Sequence, residues 1–260
     1  MSVIDKRMIA QSFGKAAETY DAVAHFQRWA GHALLEKIPD LQPDTLLDLG
    51  CGTGFFCSAL SERFQSASYF GLDLSEQMLK YARSHHPHAG SWLAGDAENL
   101  ALRDNAVDLV FSSLAIQWCA DLPRLMTEVQ RVLKPGGLFV FSTLLDGTLF
   151  ELKQAWSAVD DKQHVNSFFL KEHYHQAVEE ADLKVRLLEN QSHLLHYAKV
   201  TDLMRELKAL GAHNLNAERA SALTGRRKLI HLTEAYERYR DPQGFLPASY
   251  QLLWGVLEKA

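Results

Sequence analysis

The segment Leu46-Leu47-Asp48-Leu49-Gly50-Cys51-Gly52-Thr53-Gly54 restricts the possible folds more than any other part of the chain. Its opening apolar run lacks polar alternation, which is how a strand buried on both faces of a parallel sheet reads. The glycines at 50, 52 and 54 follow it and precede a predicted helix over Phe55 to Phe64. Glycine there lets the backbone turn tightly and approach a bound molecule more closely than any side chain allows. The junction predicts a doubly wound α/β fold with a ligand against this loop.

The alternation continues downstream. Short apolar runs ASYFGLDL, SWLAGD, AVDLVFSSLA and LFVFSTLL are separated by helical patterns at Ser75 to Ser84 and Asp121 to Leu133, which means a mostly parallel sheet with right-handed crossovers. Ser75 is a predicted helix cap, and RVLKPGG reads as a helix end and a turn. Residues 5 to 38 show helical spacing with a break at Gly14, so that 1–40 forms an N-terminal helical cap. Residues 148–182 look mostly helical, 183–199 read as one extended strand, and 248–259 read as a last strand that can pair antiparallel. The division that follows is a core at 41–199 and 242–260, with a helical insertion at 200–241 that would cover the ligand edge as a lid.

Composition narrows the function classes. With 260 residues, 47% apolar and 23% charged, the chain excludes disorder, collagen and disulfide scaffolds. A net charge of -5 argues against general affinity for nucleic acid. Cys51, Cys57 and Cys119 contain no C-x-x-C pair, so neither a disulfide framework nor a thiolate zinc site is expected. His85, His86 and His88 crowd around Pro87 without the carboxylates a metal site would add. No stretch approaches the roughly 20 apolar residues of a membrane helix, and a cytoplasmic protein is expected.

Asp73 ends the second run 19 positions after Gly54, the distance at which such folds place a carboxylate against two ribose hydroxyls. The glycine spacing is G-x-G-x-G preceded by Asp48, not the dinucleotide G-x-G-x-x-G, and a carboxylate there suits a positively charged ligand. With Asp96 after the third run, the set resembles the motifs of class I S-adenosylmethionine-dependent methyltransferases over about residues 44 to 145. The resemblance implies that fold, with a seven-stranded sheet, and S-adenosylmethionine as cofactor. It puts Asp48, Gly50, Gly52 and Gly54 along the methionine moiety, Asp73 on the ribose and Asp96 with Ala97 near the adenine. Cys51, Leu74, Met78 and Ser112 complete the implied contacts. A non-catalytic sensor of the cofactor and a nicotinamide dehydrogenase, the latter disfavoured by the glycine spacing, are rivals from other classes.

The segments SFGKAAETYD, SSLAIQWCADL, STLLDGTLFELKQAW, HVNSF, ELKALGAHN, LTGRRKL and LPASYQLLWG span nearly the whole chain and resemble the malonyl-acyl-carrier-protein O-methyltransferases of biotin synthesis. That family transfers a methyl group to the free carboxylate of a malonyl thioester, here carried on acyl carrier protein or coenzyme A. The alternative is a small-molecule methyltransferase acting on another carboxylate, a phenol or a quinone precursor. A carboxylate is already ionised at neutral pH, so the chemistry asks for orientation and water exclusion, with no acid–base dyad. Candidates for holding an anion beside a cation are His164, Asn166, Arg226, Gln117 and Trp118. Helix capping by His164 or Asn166, core packing by Trp118 and a solvated Arg226 remain open. The resemblance also puts Tyr20 over the methionine end. Lys199, Arg205, Lys208, Arg219, Arg226, Arg227, Lys228, Arg238 and Arg240 outnumber the acids between them and offer a face to an acidic carrier protein.

Overall fold

Every residue of β1 (Thr45–Leu49) after the first is buried. The strand pairs in parallel with β2 (Ser68–Asp73) on one side and β4 (Val107–Ser113) on the other. Leu46 faces one core and Leu47 and Leu49 the other, the two-sided burial that removes polar alternation from the sequence. The computed structural model describes residues 5–212 and 225–260. The remaining described strands are β3 (Ser91–Ala94), β5 (Leu133–Leu144), β6 (Leu183–Tyr197) and β7 (Leu246–Lys259). They join one seven-stranded sheet in the order β3-β2-β1-β4-β5-β7-β6. Strands β1 to β5 run parallel, and β7 inserts antiparallel between β5 and β6. The strand order reverses between β1 and β4, which opens a crevice at their carboxyl ends.

Helices cover both faces. On one, α5 (Leu122–Val132) and α7 (Lys171–Glu180) bring Met126, Val129 and Tyr174 against Val110, Phe139 and Phe141. On the other, α2 (His25–Glu36), α3 (Cys57–Arg63), α4 (Glu76–His85) and α6 (Phe150–Ser157) bring Leu34, Leu60, Leu79 and Trp156 into the cluster containing Leu109, Phe111 and Val140. Ser75 caps α4 through its Oγ, which accepts from Met78 N. No described helix is long and apolar enough to cross a membrane.

The first helix, α1 (Lys6–Val23), runs straight through Gly14, where a break was expected. A Cβ at Gly14 would stand 2.9 Å from Ser75 Oγ and Gln77 Oε1, so the glycine serves close passage over the start of α4. The bend falls at Ala24, whose N–H still donates to Tyr20 O before α2 begins. RVLKPGG is likewise not a plain turn: β5 starts at Leu133, bulges through left-handed Gly136, and re-registers opposite Leu109. Residues 158–170, expected to be mostly helical, separate α6 from α7 without helix. There the Asp160 carboxylate accepts from Lys162 N, a local bond that competes with helix.

Between β6 and β7 lie α8 (Val200–Ala209) and α9 (Arg226–Glu237); part of the expected insertion, 213–224 with Arg219, is outside the described residues. The end of α8 abuts α1: Ser12 Oγ donates to Gly211 O at 3.0 Å, and a Cβ on Gly211 would meet Ser12 O at 2.8 Å.

Candidate active site

The glycine loop is hung on the end of β2. The N–H groups of Gly50 and Cys51 donate to Leu72 O at 2.7 and 3.0 Å. Gly50 has φ +75°, and a Cβ on it would lie 2.2 Å from Ala115 Cβ, whereas Gly52, at φ +56°, has nothing within 4 Å of that position. The chain therefore presses against β4's exit at Gly50 and leaves an open cradle at Gly52. Gly54, also left-handed at φ +77°, packs on Trp92, so its role is to make room for that ring.

Two carboxylates converge beneath the loop. Asp73 accepts from Gly52 N at 2.9 Å and Ser75 N at 2.7 Å. Burial pushes its carboxyl above the ordinary range while those N–H groups pull it back. Asp48, on β1, is 3% exposed and accepts from Tyr69 Oη at 2.8 Å. Burial pushes it up to about 7, against the pull of Tyr69. A cation brought beside Asp48 and Asp73 would relieve both.

A cavity of about 800 Å³, its open mouth included, runs from Asp96 and Ala97 past Asp73, Leu74 and Met78 to Gly50 and Gly52, ending near Tyr20 and Trp118. Its roof is α1, which contributes Lys6, Ile9, Phe13 and Tyr20; among the described lining residues none comes from 200–241. Lys6 pairs with Asp96 at 2.6 Å and also with Glu98. Phe13 meets Trp118 edge-on, with ring centroids 5.3 Å apart. Burial and the neighbouring Asp21 and Asp73 hold the Tyr20 phenol far above its ordinary pKa. A second cavity shares Tyr20, Gly50, Gly52 and Ser113 with the first and continues to Asp48 and Cys51.

Several expected site residues stand elsewhere. Ser112 is fully buried and donates to Leu49 O; Ser113, one residue on and so on the other face of β4, lines both cavities. Gln117 is buried with its amide donating to Leu114 O and its Oε1 accepting from Thr143, so it shapes the 3₁₀ turn Ile116–Trp118. Leu114 lines the first cavity with φ +48°, a strained backbone of the kind concentrated at functional sites. His164, Asn166 and Arg226 line neither cavity. His164 stacks on Trp156 at 3.7 Å and binds Asp160, which also takes Lys228 of α9. Burial opposes ionisation of Asp160, yet Lys228 and His164 hold it well below the usual range. Asn166 donates to Ala212 O, and Arg226 is the exposed first residue of α9. The α1 roof residues Lys6, Ile9 and Phe13 escaped the sequence reading because an apolar helical stripe reads as core.

The groups present fit S-adenosylmethionine: an open glycine cradle, a fixed carboxylate to accept from ribose hydroxyls, and buried acids for a sulfonium cation. Residues 47–141 match the family model described as "Methyltransferase domain". The biotin biosynthesis bifunctional protein BioHC of Cellvibrio japonicus is 49% identical over 99% of this chain, which spans 51% of that protein's length. The malonyl-[acyl-carrier protein] O-methyltransferase of Methylococcus capsulatus is 42% identical over 98% of this chain and 94% of its own. A solved geranyl diphosphate C-methyltransferase from Streptomyces coelicolor, in complex with S-adenosyl-L-homocysteine, superposes with a TM-score of 0.55 at 17% identity, covering 90% of this chain and 79% of its own. The sheet order, the loop and this near full-length kinship converge on one conclusion: the chain belongs to the malonyl-[acyl-carrier protein] O-methyltransferase family, within the class I S-adenosylmethionine-dependent methyltransferases.

Proposed function

We propose that the enzyme methylates the free carboxylate of a malonyl group carried on acyl carrier protein, an early step of biotin synthesis in the cytoplasm. The near full-length relation to the Methylococcus enzyme of that name carries the reading. Bound S-adenosylmethionine supplies an electrophilic methyl group on a sulfonium centre. The acceptor carboxylate would take that methyl group on one oxygen, the electron pair of the broken C–S bond remaining on sulfur.

The chain's own groups support an acceptor that arrives already ionised. Burial holds Tyr20, Cys51 and Cys119 as neutral phenol and thiols, Cys119 being pushed up to about 12, so none is a ready base or nucleophile. With the cofactor bound, Asp73 would accept from the ribose hydroxyls, Asp96 and Ala97 would flank the adenine, and Asp48 would balance positive charge. Phe13, Trp118 and Leu114 line that end of the cavity and would exclude water from the reacting groups, and holding reactants aligned is worth roughly 7–11 kcal/mol.

The described part of the 200–241 insertion, α8 and α9, acts as a lid braced on the roof helix. The bond of Ser12 to Gly211 supports this, since it ties the end of α8 to the roof helix, while that of Asn166 to Ala212 ties the same end to the segment between α6 and α7. Arg226, Arg227 and Arg238, exposed on or beside α9, face the acidic carrier; Lys228, Arg205 and Arg240 are occupied by Asp160, Asp202 and Glu237. Free thiols at all three cysteines support a reducing compartment. The test is transfer of labelled methyl to malonyl-carrier protein followed by mild alkali. A methyl ester releases the label as methanol; label that survives alkali refutes carboxyl methylation.

A further inference from the structure

The second cavity, about 470 Å³ with its mouth, lies across Gly50 and Gly52 from the ribose carboxylate. One wall is the glycine loop; the other is the α1–α2 elbow, with Asp21, Ala24, Gln27 and Arg28. Gln27 Oε1 is buried and has no hydrogen-bond partner among the described residues, and an acceptor left so costs stability unless a donor arrives. Arg28 is the one cation among the described residues lining this cavity. It donates to Asp21 O, meets His25 Nδ1 at 2.8 Å and lies 5.6 Å from the Phe55 ring centre. It has no carboxylate partner among the described residues, while Lys6, the cation at the far end of the first cavity, is paired with Asp96 and Glu98. Asp21, the carboxylate on the same wall, accepts the Thr53 hydroxyl at 2.9 Å and meets Arg28 through its backbone oxygen.

A cavity offering a guanidinium that no described carboxylate pairs with and an acceptor without a described donor, beside buried Asp48, matches a zwitterion. We infer that Arg28 and Gln27 clamp the amino-acid end of S-adenosylmethionine, Arg28 taking the α-carboxylate and Gln27 Oε1 the α-ammonium. The clamp sits on the elbow at Ala24, so the amino-acid end also fixes α1 as the roof over the adenosine. This rests on the cofactor, not on the identity of the acyl acceptor. A malonyl carboxylate is the other anion that Arg28 would suit, and the test separates the two sources.

Titration calorimetry on the full chain, without acyl substrate, compares S-adenosylhomocysteine with 5′-methylthioadenosine, which lacks the amino-acid end. Arg28→Leu should weaken S-adenosylhomocysteine about 10- to 100-fold, the loss expected for a charge-assisted hydrogen bond, and leave methylthioadenosine binding unchanged. Gln27→Leu should weaken S-adenosylhomocysteine about 3- to 10-fold in the same selective way. Arg28→Lys should fall between wild type and Arg28→Leu. Unchanged binding of both ligands overturns the clamp. So does equal weakening of both, which marks Arg28 as a structural tie of the elbow. Unchanged S-adenosylhomocysteine affinity with a raised KM for the malonyl substrate also overturns it and assigns Arg28 to the acceptor.

Discussion

Asp48→Asn turns the electrostatics of the loop into a measurable quantity. Asp48 is 3% exposed and pushed up from 3.8 to about 7, chiefly by burial. Because its folded pKa is raised, the folded protein holds a proton that the unfolded chain has already released between those two values. This group therefore costs stability as pH rises through that window, and the cost is complete above about 7. At about 1.36 kcal/mol per pKa unit the full cost is about 4 kcal/mol, of which about 3 kcal/mol develops between about pH 5 and about pH 8. Asparagine keeps an acceptor for Tyr69 Oη without the charge. The stability of Asp48→Asn relative to wild type, from urea titrations without cofactor, should rise by about 3 kcal/mol from about pH 5 to about pH 8. Near pH 6, cofactor binding should also release a proton in wild type and not in the variant, seen as buffer-dependent heat in calorimetry. A stability difference flat across that range refutes the idea that Asp48 is held as a strained, cation-seeking carboxylate.

Gly50→Ala places a Cβ 2.2 Å from Ala115 at φ +75°; it should cost about 1–3 kcal/mol in thermal melts and at least tenfold in S-adenosylhomocysteine affinity. Asp160→Asn removes the anion shared by Lys228 and His164. It should cost about 1 kcal/mol, expose α9 to limited proteolysis and lower kcat/KM for the acyl substrate while leaving S-adenosylhomocysteine affinity unchanged. Arg226→Glu with Arg227→Glu, keeping Lys228 on Asp160, should raise the KM for carrier-bound malonate by about tenfold, with less effect on the coenzyme A thioester; equal effects on both remove this face as the carrier contact.

The strands were legible because each central one is buried on two faces, as in Leu46 against Leu47 and Leu49 or Val140 against Phe139 and Phe141. The glycine loop was legible because left-handed φ at positions 50, 52 and 54 selects glycine. Gly14 misled for the complementary reason: glycine also appears where two helices cross closely, and sequence does not separate that use from a break. The true bend at Ala24 carries no turn residue. Ser112 and Ser113 differ by one step of a strand, which reverses the face. Side chains brought together across long separations were invisible: Lys6 bonded to Asp96, Asn166 bonded to Ala212, and Gln27 and Arg28 lining one cavity with the loop around Gly52. In sequence, Gln27 and Arg28 are ordinary polar residues on an amphipathic helix.

The identity of the methyl acceptor is the most direct test of the enzyme's assignment. The enzyme is incubated with S-adenosylmethionine and, in parallel, malonyl-carrier protein, acetyl-carrier protein and malonyl-coenzyme A, and each acyl species is followed by intact-mass spectrometry. The account predicts the mass of one added CH₂ on the malonyl group of the carrier protein, with acetyl-carrier protein unchanged and malonyl-coenzyme A slower. No gain on malonyl-carrier protein, with S-adenosylhomocysteine binding intact, contradicts it.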